Sequence, residues 1–511
     1  MNSLKKNIIF NYIGQFYVMF IGIFMLPFYL KYLGSESYGL VGFFTVITSI
    51  MMLLDMGLSS TLAREAARLK NKNSDIYQLR VILKSIEVVI FIITTILFFT
   101  IYFSSSWITT NWLQSTNMDI QIVQNCIKLM GFMLAIRWFV GLHQGVVIGL
   151  EQQVWLNLYK MIINTLKFIG GLILIIYISN DIFYFFIYQT FISIIEFIIL
   201  RKKVYTELSI AQLIKPSLQE LKRIAPFALS IAYTSVLWAF YSQFDKLLLS
   251  HYISLKEYGY LALVVAIQGA IMQFSGPLSR AIQPRMVSLL SNNKEEEMLL
   301  LYSKSTRLIS TIMSSVVGIV VAFSYELLYS WSGDIEASLW ASPILFWFAI
   351  GNGILAISAF RYYLQYAHGN MKYQNRFNTF SPFISVSLIF YAVSNYGAYG
   401  ASITWFSIHL TTFLLWTPYI HSKFAPGIHL KWILKDILPP VLLTTIYLFF
   451  IKQINIDFSI FSRIETFFIL LGLGLILLIF NSLIYKDMRK IIFNSLQKFL
   501  NFTSIKKAQI I

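Results

Sequence analysis

The sequence has little charge, one cysteine and none of the short motifs of common enzymes. Only 12% of its 511 residues are charged, whereas an ordinary soluble protein has about 25%. The single cysteine, Cys126, excludes an internal disulfide and a thiolate metal cluster. No glycine is followed by lysine, so the chain lacks a Walker A phosphate loop, and it has no HExxH or GxSxG motif. The histidines are scattered and predict no metal site. These absences argue against a soluble enzyme and against an internal ATP site.

Long hydrophobic runs make up most of the chain. Hydrophobic residues account for 57% of it, and about fourteen runs reach the roughly 20 residues that a membrane-spanning helix needs. They centre on residues 8–31, 39–62, 81–103, 121–146, 154–178, 181–200, 224–249, 258–282, 305–330, 340–366, 374–394, 397–420, 434–452 and 464–485. The runs are continuous and not alternating, which predicts helices instead of barrel strands. We therefore expect an all-α integral membrane protein with about 14 transmembrane helices. The first run is too long for a signal-peptide core and is expected to be retained.

The basic residues are distributed unevenly between the loops. If the N-terminus is cytoplasmic, the inner segments carry 28 of the 40 Lys and Arg residues and the outer loops carry 4. This asymmetry is the positive-inside rule, and it predicts that the N-terminus and the C-terminus are both cytoplasmic. The net charge of +17 then lies mainly on the face that meets anionic membrane lipids, so it does not call for nucleic acid as a partner.

The first two hydrophobic runs recur 220 residues later. Tyr38-Gly39 returns as Tyr258-Gly259, and Leu58-Ser59 returns as Leu278-Ser279. An even offset in membrane spans gives both copies the same orientation, which is typical of a parallel-repeat transporter with its substrate path between the halves. We predict an N-terminal six-helix lobe at 1–210 and a C-terminal six-helix lobe at 211–425. Two additional transmembrane helices follow at 426–485, and a basic amphipathic cytoplasmic tail follows at 486–511.

Cations inside the hydrophobic runs are the main candidates for a functional site. Arg137, Lys167 and Arg361 lie deepest, where a charge costs about 3 kcal/mol or more. Lys160 and Asn164 precede Lys167 at helical spacing, in a stripe that also includes Asn157 and Gly171. Such cations on inward faces indicate a cavity for an anion. Two alternatives remain: Lys160 could extend to the headgroups, and the deeper cations could pair with another helix.

Three carboxylates are candidates for ion coupling. Asp55, Asp245 and Glu326 lie in or at the end of hydrophobic runs. Each could bind H⁺ or Na⁺, or could pair with Arg or Lys, which is the commoner role of an intramembrane acid. Beyond such a coupling ion, the sequence indicates no cofactor.

Several segments resemble the O-antigen flippases, which are polysaccharide-biosynthesis members of the multidrug/oligosaccharidyl-lipid/polysaccharide exporter superfamily. Residues 11–39 (NYIGQFYVMFIGIFMLPFYLKYLGSESYG) are similar to the start of that family. Residues 55–68 (DMGLSSTLAREAAR) are similar to its second span and first inner loop, and residues 275–285 (SGPLSRAIQPR) resemble the matching region of the second lobe. The resemblance covers about the first 425 residues. The resemblance matches individual positions at Arg64, Asp245, Lys246 and Arg280. We expect Arg64, Arg280 and Asn164 to bind the substrate together with Arg137, Lys160, Lys167 and Arg361.

The resemblance implies 12–14 spans, two lobes in a V and no nucleotide hydrolysis. It also implies export of an undecaprenyl-pyrophosphate-linked oligosaccharide, an O-antigen or capsule repeat unit, from the inner to the outer leaflet of a bacterial cytoplasmic (inner) membrane. The expected partners are this lipid-linked oligosaccharide, membrane lipids, a polysaccharide polymerase and a chain-length regulator.

We therefore expect a flippase that works by alternating access through a cationic cleft between the lobes. A lipid II flippase and a multidrug cation antiporter of the same superfamily remain alternatives, although an antiporter for cations would need carboxylates in the cleft. A membrane glycosyl polymerase or ligase is the alternative from another class. It would need a sizeable outer loop with catalytic Arg or His, which this sequence lacks.

Overall fold

The computed structural model describes residues 3–68, 73–209 and 214–490, and these are almost entirely helical. In this part of the chain the only β-type pairing is an isolated parallel bridge between Gln114 and Ser254. The α-helices are α1 (Ser3–Leu33), α2 (Ser35–Arg68), α3 (Asn73–Trp107), α4 (Ile120–Gly149), α5 (Gln153–Thr165), α6 (Gly171–Tyr177), α7 (Ile182–Glu207), α8 (Leu218–Tyr252), α9 (Leu255–Gln273), α10 (Gly276–Ser291), α11 (Glu295–Ala322), α12 (Ser324–Ser332), α13 (Ile335–Ser358), α14 (Phe360–Ala367), α15 (Lys372–Thr411), α16 (Thr417–Phe424), α17 (Ile428–Trp432), α18 (Leu438–Gln453) and α19 (Arg463–Leu483). Four π-helical turns, Ile108–Trp112, Leu166–Gly170, Thr412–Trp416 and Ile433–Ile437, and a 3₁₀ turn, Phe458–Ile460, complete the elements.

The helices confirm a multi-pass membrane protein. Among the described residues, 12 helical stretches are long and apolar enough to cross a bilayer. Helix α2 is a further continuous helix of 34 residues. The stretch Lys372–Phe424 has 53 residues, or about 80 Å of helix, which is far longer than the roughly 30 Å hydrocarbon core. It contains two helices separated at Gly397, whose φ of 56° and ψ of −140° only glycine adopts readily. The stretch Lys372–Phe424 therefore supplies two spans instead of one. With this extra span and α2 added to the 12, the count agrees with the predicted number of about fourteen.

The chain divides into two compact units. Unit 1 comprises Met1–Leu263 and Asn378–Ala398, and unit 2 comprises Val264–Phe377 and Tyr399–Ile511. The division falls inside α9 and α15, so the lobe boundaries at 210 and 425 remain a prediction. The predicted tail at 486–511 lies outside the described residues from 491 onward.

In unit 1, helix α2 packs closely against its neighbours. A Cβ at Gly145 of α4 would lie 2.4 Å from the carbonyl oxygen of Ser59, and a Cβ at Gly149 would lie 2.3 Å from that of Ala63. Only glycine allows the two backbones to approach this closely, as small residues do in many membrane helix pairs. This contact fixes α4, and with it Arg137, against α2.

The contact between α2 and α9, also in unit 1, follows the 220-residue repeat. A Cβ at Gly39 would lie 1.8 Å from the carbonyl oxygen of Leu255, and a Cβ at Gly259 would lie 2.1 Å from that of Ser35. Ser35 and Leu255 are separated by the same 220 positions as Gly39 and Gly259. The contact is therefore reciprocal, as at a two-fold interface. The repeated Tyr-Gly pair, for which the sequence suggests a turn between spans, lies within α2 and α9 and is the site of this close approach.

In unit 2, the two additional C-terminal helices pack against α11. The side-chain amide of Asn481 donates to the hydroxyls of Ser315 and Thr444, both at 2.9 Å. At the end of α11 that the sequence predicts to be cytoplasmic, the Arg307 guanidinium donates to Asp436 at 2.7 Å. Buried polar contacts of this kind fix the register of helices that are otherwise apolar.

Candidate functional site

A π-helical turn interrupts the fifth membrane span at Leu166–Gly170 and carries Lys167. A π turn adds a residue to the helix and weakens the regular hydrogen bonds of its carbonyl groups. Side chains from α7 bind these groups: the Tyr188 hydroxyl donates to the carbonyl of Leu166 at 2.8 Å, and the Gln189 amide donates to the carbonyl of Lys167 at 2.9 Å. The turn is thus stabilised by its neighbours and is not a local irregularity.

Two glycines make room for tyrosine side chains from neighbouring helices. A Cβ at Gly170 would lie 1.9 Å from the hydroxyl oxygen of Tyr188, and a Cβ at Gly171 would lie 3.0 Å from that of Tyr29. Tyr29 of α1 donates to the carbonyl of Phe168 at 2.6 Å. The position of Lys167 therefore depends on α1 and α7 as well as on its own helix. The predicted stripe assumed a regular helix, and the extra residue of the π turn changes the face on which Lys167 and Gly171 lie.

Lys167 forms an ion pair with Glu196 of α7. The Lys167 side chain is 12% exposed and that of Glu196 is 10% exposed. A buried charge is stable only with a partner, and each of these two residues supplies the other. The structure therefore places a carboxylate at one of the cations that the sequence assigned to an anionic substrate.

Arg137 and Lys160 complete the cluster around Glu196. Both cations interact electrostatically with that carboxylate. The Arg137 guanidinium lies 5.1 Å from the centre of the Phe44 ring, and its buried Nε has no hydrogen-bond partner among the described residues. We call Arg137, Lys160, Lys167 and Glu196 the cationic cluster. Three positive groups and one negative group give it a formal surplus of about two positive charges, which suits a doubly charged anion.

The other predicted ligands have different surroundings. The Asn164 amide donates to the carbonyl of Lys160 at 2.7 Å, so it is engaged within its own helix. Arg64 is exposed on α2, and its guanidinium lies 4.3 Å from the centre of the Phe227 ring. Arg280 belongs to α10, but its side chain lies outside the described residues.

Arg361 belongs to unit 2 and is buried on α14. Its guanidinium donates to the carbonyl of Thr412 and to the hydroxyl of Thr417, both at 3.4 Å. The ring of Phe377 lies 5.2 Å from it. Thr412 begins the π turn Thr412–Trp416, so Arg361 donates to a π turn, as Lys167 lies in one.

The predicted coupling acids are in three different situations. Asp245 is buried in unit 1, and its Oδ1 lies 3.2 Å from the ammonium of Lys246. Glu326 is half-buried in the first turn of α12. Asp55 lies on α2, with its side chain outside the described residues. Ion coupling through any of them remains a prediction, and Asp245 shows the pairing that was the alternative.

The sequence analysis missed Glu196, although a signal was present. Glu196 lies within the predicted span 181–200, three residues after Ser193 and seven after Gln189, and this spacing places the three residues on one helical face. A carboxylate on a polar face inside a span is a functional candidate. Its contact with Lys167 could not be predicted from the sequence, because it depends on how α7 packs against the π turn.

A buried contact between a histidine and a glutamate also lies in unit 1. Nε2 of His143 lies 3.2 Å from Glu87, while its Nδ1 lies 2.7 Å from the carbonyl oxygen of Phe139. The Tyr205 hydroxyl donates to Glu87 at 2.7 Å. Among the described residues, no group of three or more His, Cys, Asp or Glu side chains could hold a metal ion.

The sequence and the fold both match known membrane transport and biosynthesis proteins. A family profile described as polysaccharide biosynthesis protein matches residues 4–290. The fold is similar to that of the lipid II flippase MurJ in an inward closed conformation, with a TM-score of 0.72 and 17% identity over 94% of this chain and 99% of that one. It is also similar to an inward-facing multidrug resistance MATE family transporter of the MOP superfamily, with a TM-score of 0.60 and 13% identity over 80% and 96% of the two chains.

A third similar structure is a MOP superfamily transporter from Pyrococcus furiosus whose binding pocket is described as reversed in polarity. Its TM-score is 0.54, with 13% identity over 82% of this chain and 96% of that one. No curated protein matches the sequence. At these identities the structural matches establish the fold, which agrees with the superfamily that the sequence resembles.

Proposed function

The chain belongs to the polysaccharide biosynthesis protein family, and from this membership we propose that it is a flippase for an undecaprenyl-pyrophosphate-linked oligosaccharide. The substrate, an O-antigen or capsule repeat unit, moves from the inner to the outer leaflet of a bacterial cytoplasmic membrane by alternating access. The observation that supports this proposal is the cationic cluster, because its surplus of positive charge lies within membrane-spanning helices and suits a pyrophosphate.

In this proposal the cationic cluster replaces the water that the pyrophosphate loses on leaving the headgroup region. Arg137, Lys160 and Lys167 bind the phosphate oxygens while the polyprenyl tail stays in lipid. At an effective dielectric constant near 20, one charge contact at 4 Å contributes about 4 kcal/mol. Arg361, Arg280 and Arg64 are further proposed contacts along the path, and Asn164 contributes to the local polarity.

The membrane potential supplies part of the driving force. Moving about two negative charges outward through 100 mV releases roughly 4–5 kcal/mol. Coupling to H⁺ or Na⁺ through Asp55, Asp245 or Glu326 would add to the driving force from the membrane potential. A polysaccharide polymerase and a chain-length regulator are the proposed partners that receive the exported unit.

The test is transport by the purified protein in liposomes. A fluorescent undecaprenyl-pyrophosphate-linked sugar is placed in the membrane, and an impermeant quencher reports which leaflet it occupies. We expect Arg137→Gln and Lys160→Gln each to lower the initial rate about tenfold, a change of about 1.4 kcal/mol. This is less than the roughly 4 kcal/mol of one full contact, because the remaining cations of the cluster still bind the phosphate oxygens. Lys294→Gln is the matched control, since this lysine is 54% exposed and pairs only locally with Glu297. Wild-type rates in both cluster variants, or no transport by the wild type, would refute the proposal.

Lipid II is the second candidate substrate, because the similarity to the lipid II flippase MurJ extends over 94% of the chain. It presents the same pyrophosphate chemistry to the cluster. The liposome assay separates the two candidates when labelled lipid II replaces the other lipid-linked sugar, and the faster substrate identifies the function. An organic-cation antiporter is less compatible with a cluster that has three cations and one carboxylate, and ethidium efflux from the same liposomes tests it directly.

A further inference from the structure

In the structure, Lys167, a proposed substrate ligand, is already bound by the carboxylate of Glu196. Each side chain is nearly buried, and the two residues lie on different elements that are 29 positions apart. A carboxylate offers an ammonium group the same kind of negatively charged oxygen that a phosphate does. Glu196 therefore occupies the position at Lys167 that a phosphate oxygen would need.

The backbone of Glu196 is held independently of its carboxylate. The hydroxyl of Tyr159 donates to the backbone carbonyl of Glu196, and Glu196 is a regular residue of α7. The side chain can leave Lys167 by rotation about its own bonds, while α7 keeps its position. The charged groups that act on the carboxylate are Arg137 from α4, Lys160 from α5 and Lys167 from the π turn.

We propose that Glu196 is an internal competitor of the substrate: its carboxylate neutralises Lys167 when the site is empty and is displaced when a pyrophosphate binds. This inference rests on the proposed function and adds to it a residue that sets affinity and release. The return of the carboxylate to Lys167 replaces the departing phosphate, so Lys167 itself is never left without a partner. Glu196 thereby weakens binding and speeds release.

The test measures binding and transport in variants at Glu196. The probe is undecaprenyl pyrophosphate, added to the purified full-length protein in detergent, with affinity read from the concentration dependence of intrinsic tryptophan fluorescence. We expect Glu196→Gln, which keeps the size of the side chain and removes its charge, to lower the Kd about tenfold. In liposomes the same variant should transport more slowly than the wild type, because release is delayed.

Glu207→Gln is the matched control. Glu207 lies on the same helix and pairs with Lys203 four residues earlier, so this variant removes an equal charge away from the cationic cluster. Its Kd should equal that of the wild type. If Glu196→Gln does not yield folded protein, Glu196→Asp replaces it. The shorter carboxylate retreats from Lys167, and the expected decrease in Kd is about threefold.

The outcomes distinguish this inference from the function on which it rests. If the wild type binds undecaprenyl pyrophosphate and neither Glu196 variant binds it more tightly, Glu196 is not a competitor, although the transport proposal stands. An equal gain in Glu207→Gln would also refute the inference, since the effect would be one of net charge. If neither the wild type nor any Glu196 variant binds the probe, both proposals fail.

Discussion

The free energy of unfolding should depend asymmetrically on the two members of the Lys167–Glu196 pair. Glu196→Gln leaves Lys167 without its partner and also removes the carboxylate that acts on Arg137 and Lys160. Breaking a buried pair by removing one partner costs about 3–5 kcal/mol, so we expect a loss of about 4 kcal/mol. Lys167→Met leaves Glu196 with two other cations nearby, and we expect a smaller loss of about 2 kcal/mol.

The double variant should lose about 3–4 kcal/mol, which is less than the sum of about 6 kcal/mol for the two single variants. With both charges removed, neither is left unpaired in a low-dielectric surrounding, and the coupling energy of the double-mutant cycle should be about 2–3 kcal/mol. The measurement is equilibrium unfolding in mixed micelles of a mild detergent and dodecyl sulfate, followed by tryptophan fluorescence. The same cycle at Lys203 and Glu207, whose side chains are 25% and 32% exposed, is the control and should give about 0.3–0.5 kcal/mol.

Two results would refute this reasoning. A coupling energy for Lys167 and Glu196 that matches the control pair would show that the ion pair is solvated and contributes little. Equal losses for the two single variants would show that Arg137 and Lys160 do not act on Glu196. Addition of undecaprenyl pyrophosphate should stabilise Glu196→Gln more than the wild type, which connects this measurement to the proposed competition.

Two further predictions concern the N-terminal end of α2. Gly39→Leu should abolish the folded protein or lower its thermal midpoint by more than 10 °C, because a Cβ would lie 1.8 Å from the carbonyl oxygen of Leu255; an unchanged midpoint in a detergent melt would contradict the close contact. Burial raises the pKa of Glu36, but hydrogen bonds from the backbone of Asn117 and Thr116 outweigh it and hold the pKa below its ordinary value of 4.5. A lowered folded pKa stabilises the protein above the unfolded pKa, and this contribution disappears as the pH falls through the folded pKa. Thermal melts of the wild type should therefore approach those of Glu36→Gln as the pH falls below about 4.5, and a constant difference between them would contradict this assignment.

Much of the fold could be predicted because the signal for a membrane helix is local. Each span needs only about 20 apolar residues in succession, and this property is read directly from the chain. The repeated Tyr-Gly pair also had a structural counterpart in the reciprocal contact of Gly39 and Gly259, although it lies within helices and not in a turn. The sequence predicted two separate spans at 374–394 and 397–420, and the structure separates two helices at Gly397, the first residue of the second run.

The candidate site could be predicted only in part. Lys160 and Lys167 were recognised as cations inside a span, and the structure brings them together with Arg137 around Glu196. The stripe that included Asn164 assumed a uniform helical period, and the π turn Leu166–Gly170 departs from it. Such a turn is stabilised by donors from other helices, so the period of its own sequence does not reveal it.

The sequence by itself determined that this is an all-helical membrane protein, where its spans lie, and that several cations enter them, because hydrophobicity and charge belong to single residues and short segments. Only the tertiary structure decided that Glu196 neutralises Lys167 and that Tyr29, Tyr188 and Gln189 hold the π turn. These contacts join residues far apart in the chain, and which buried charge meets which partner depends on how the helices pack.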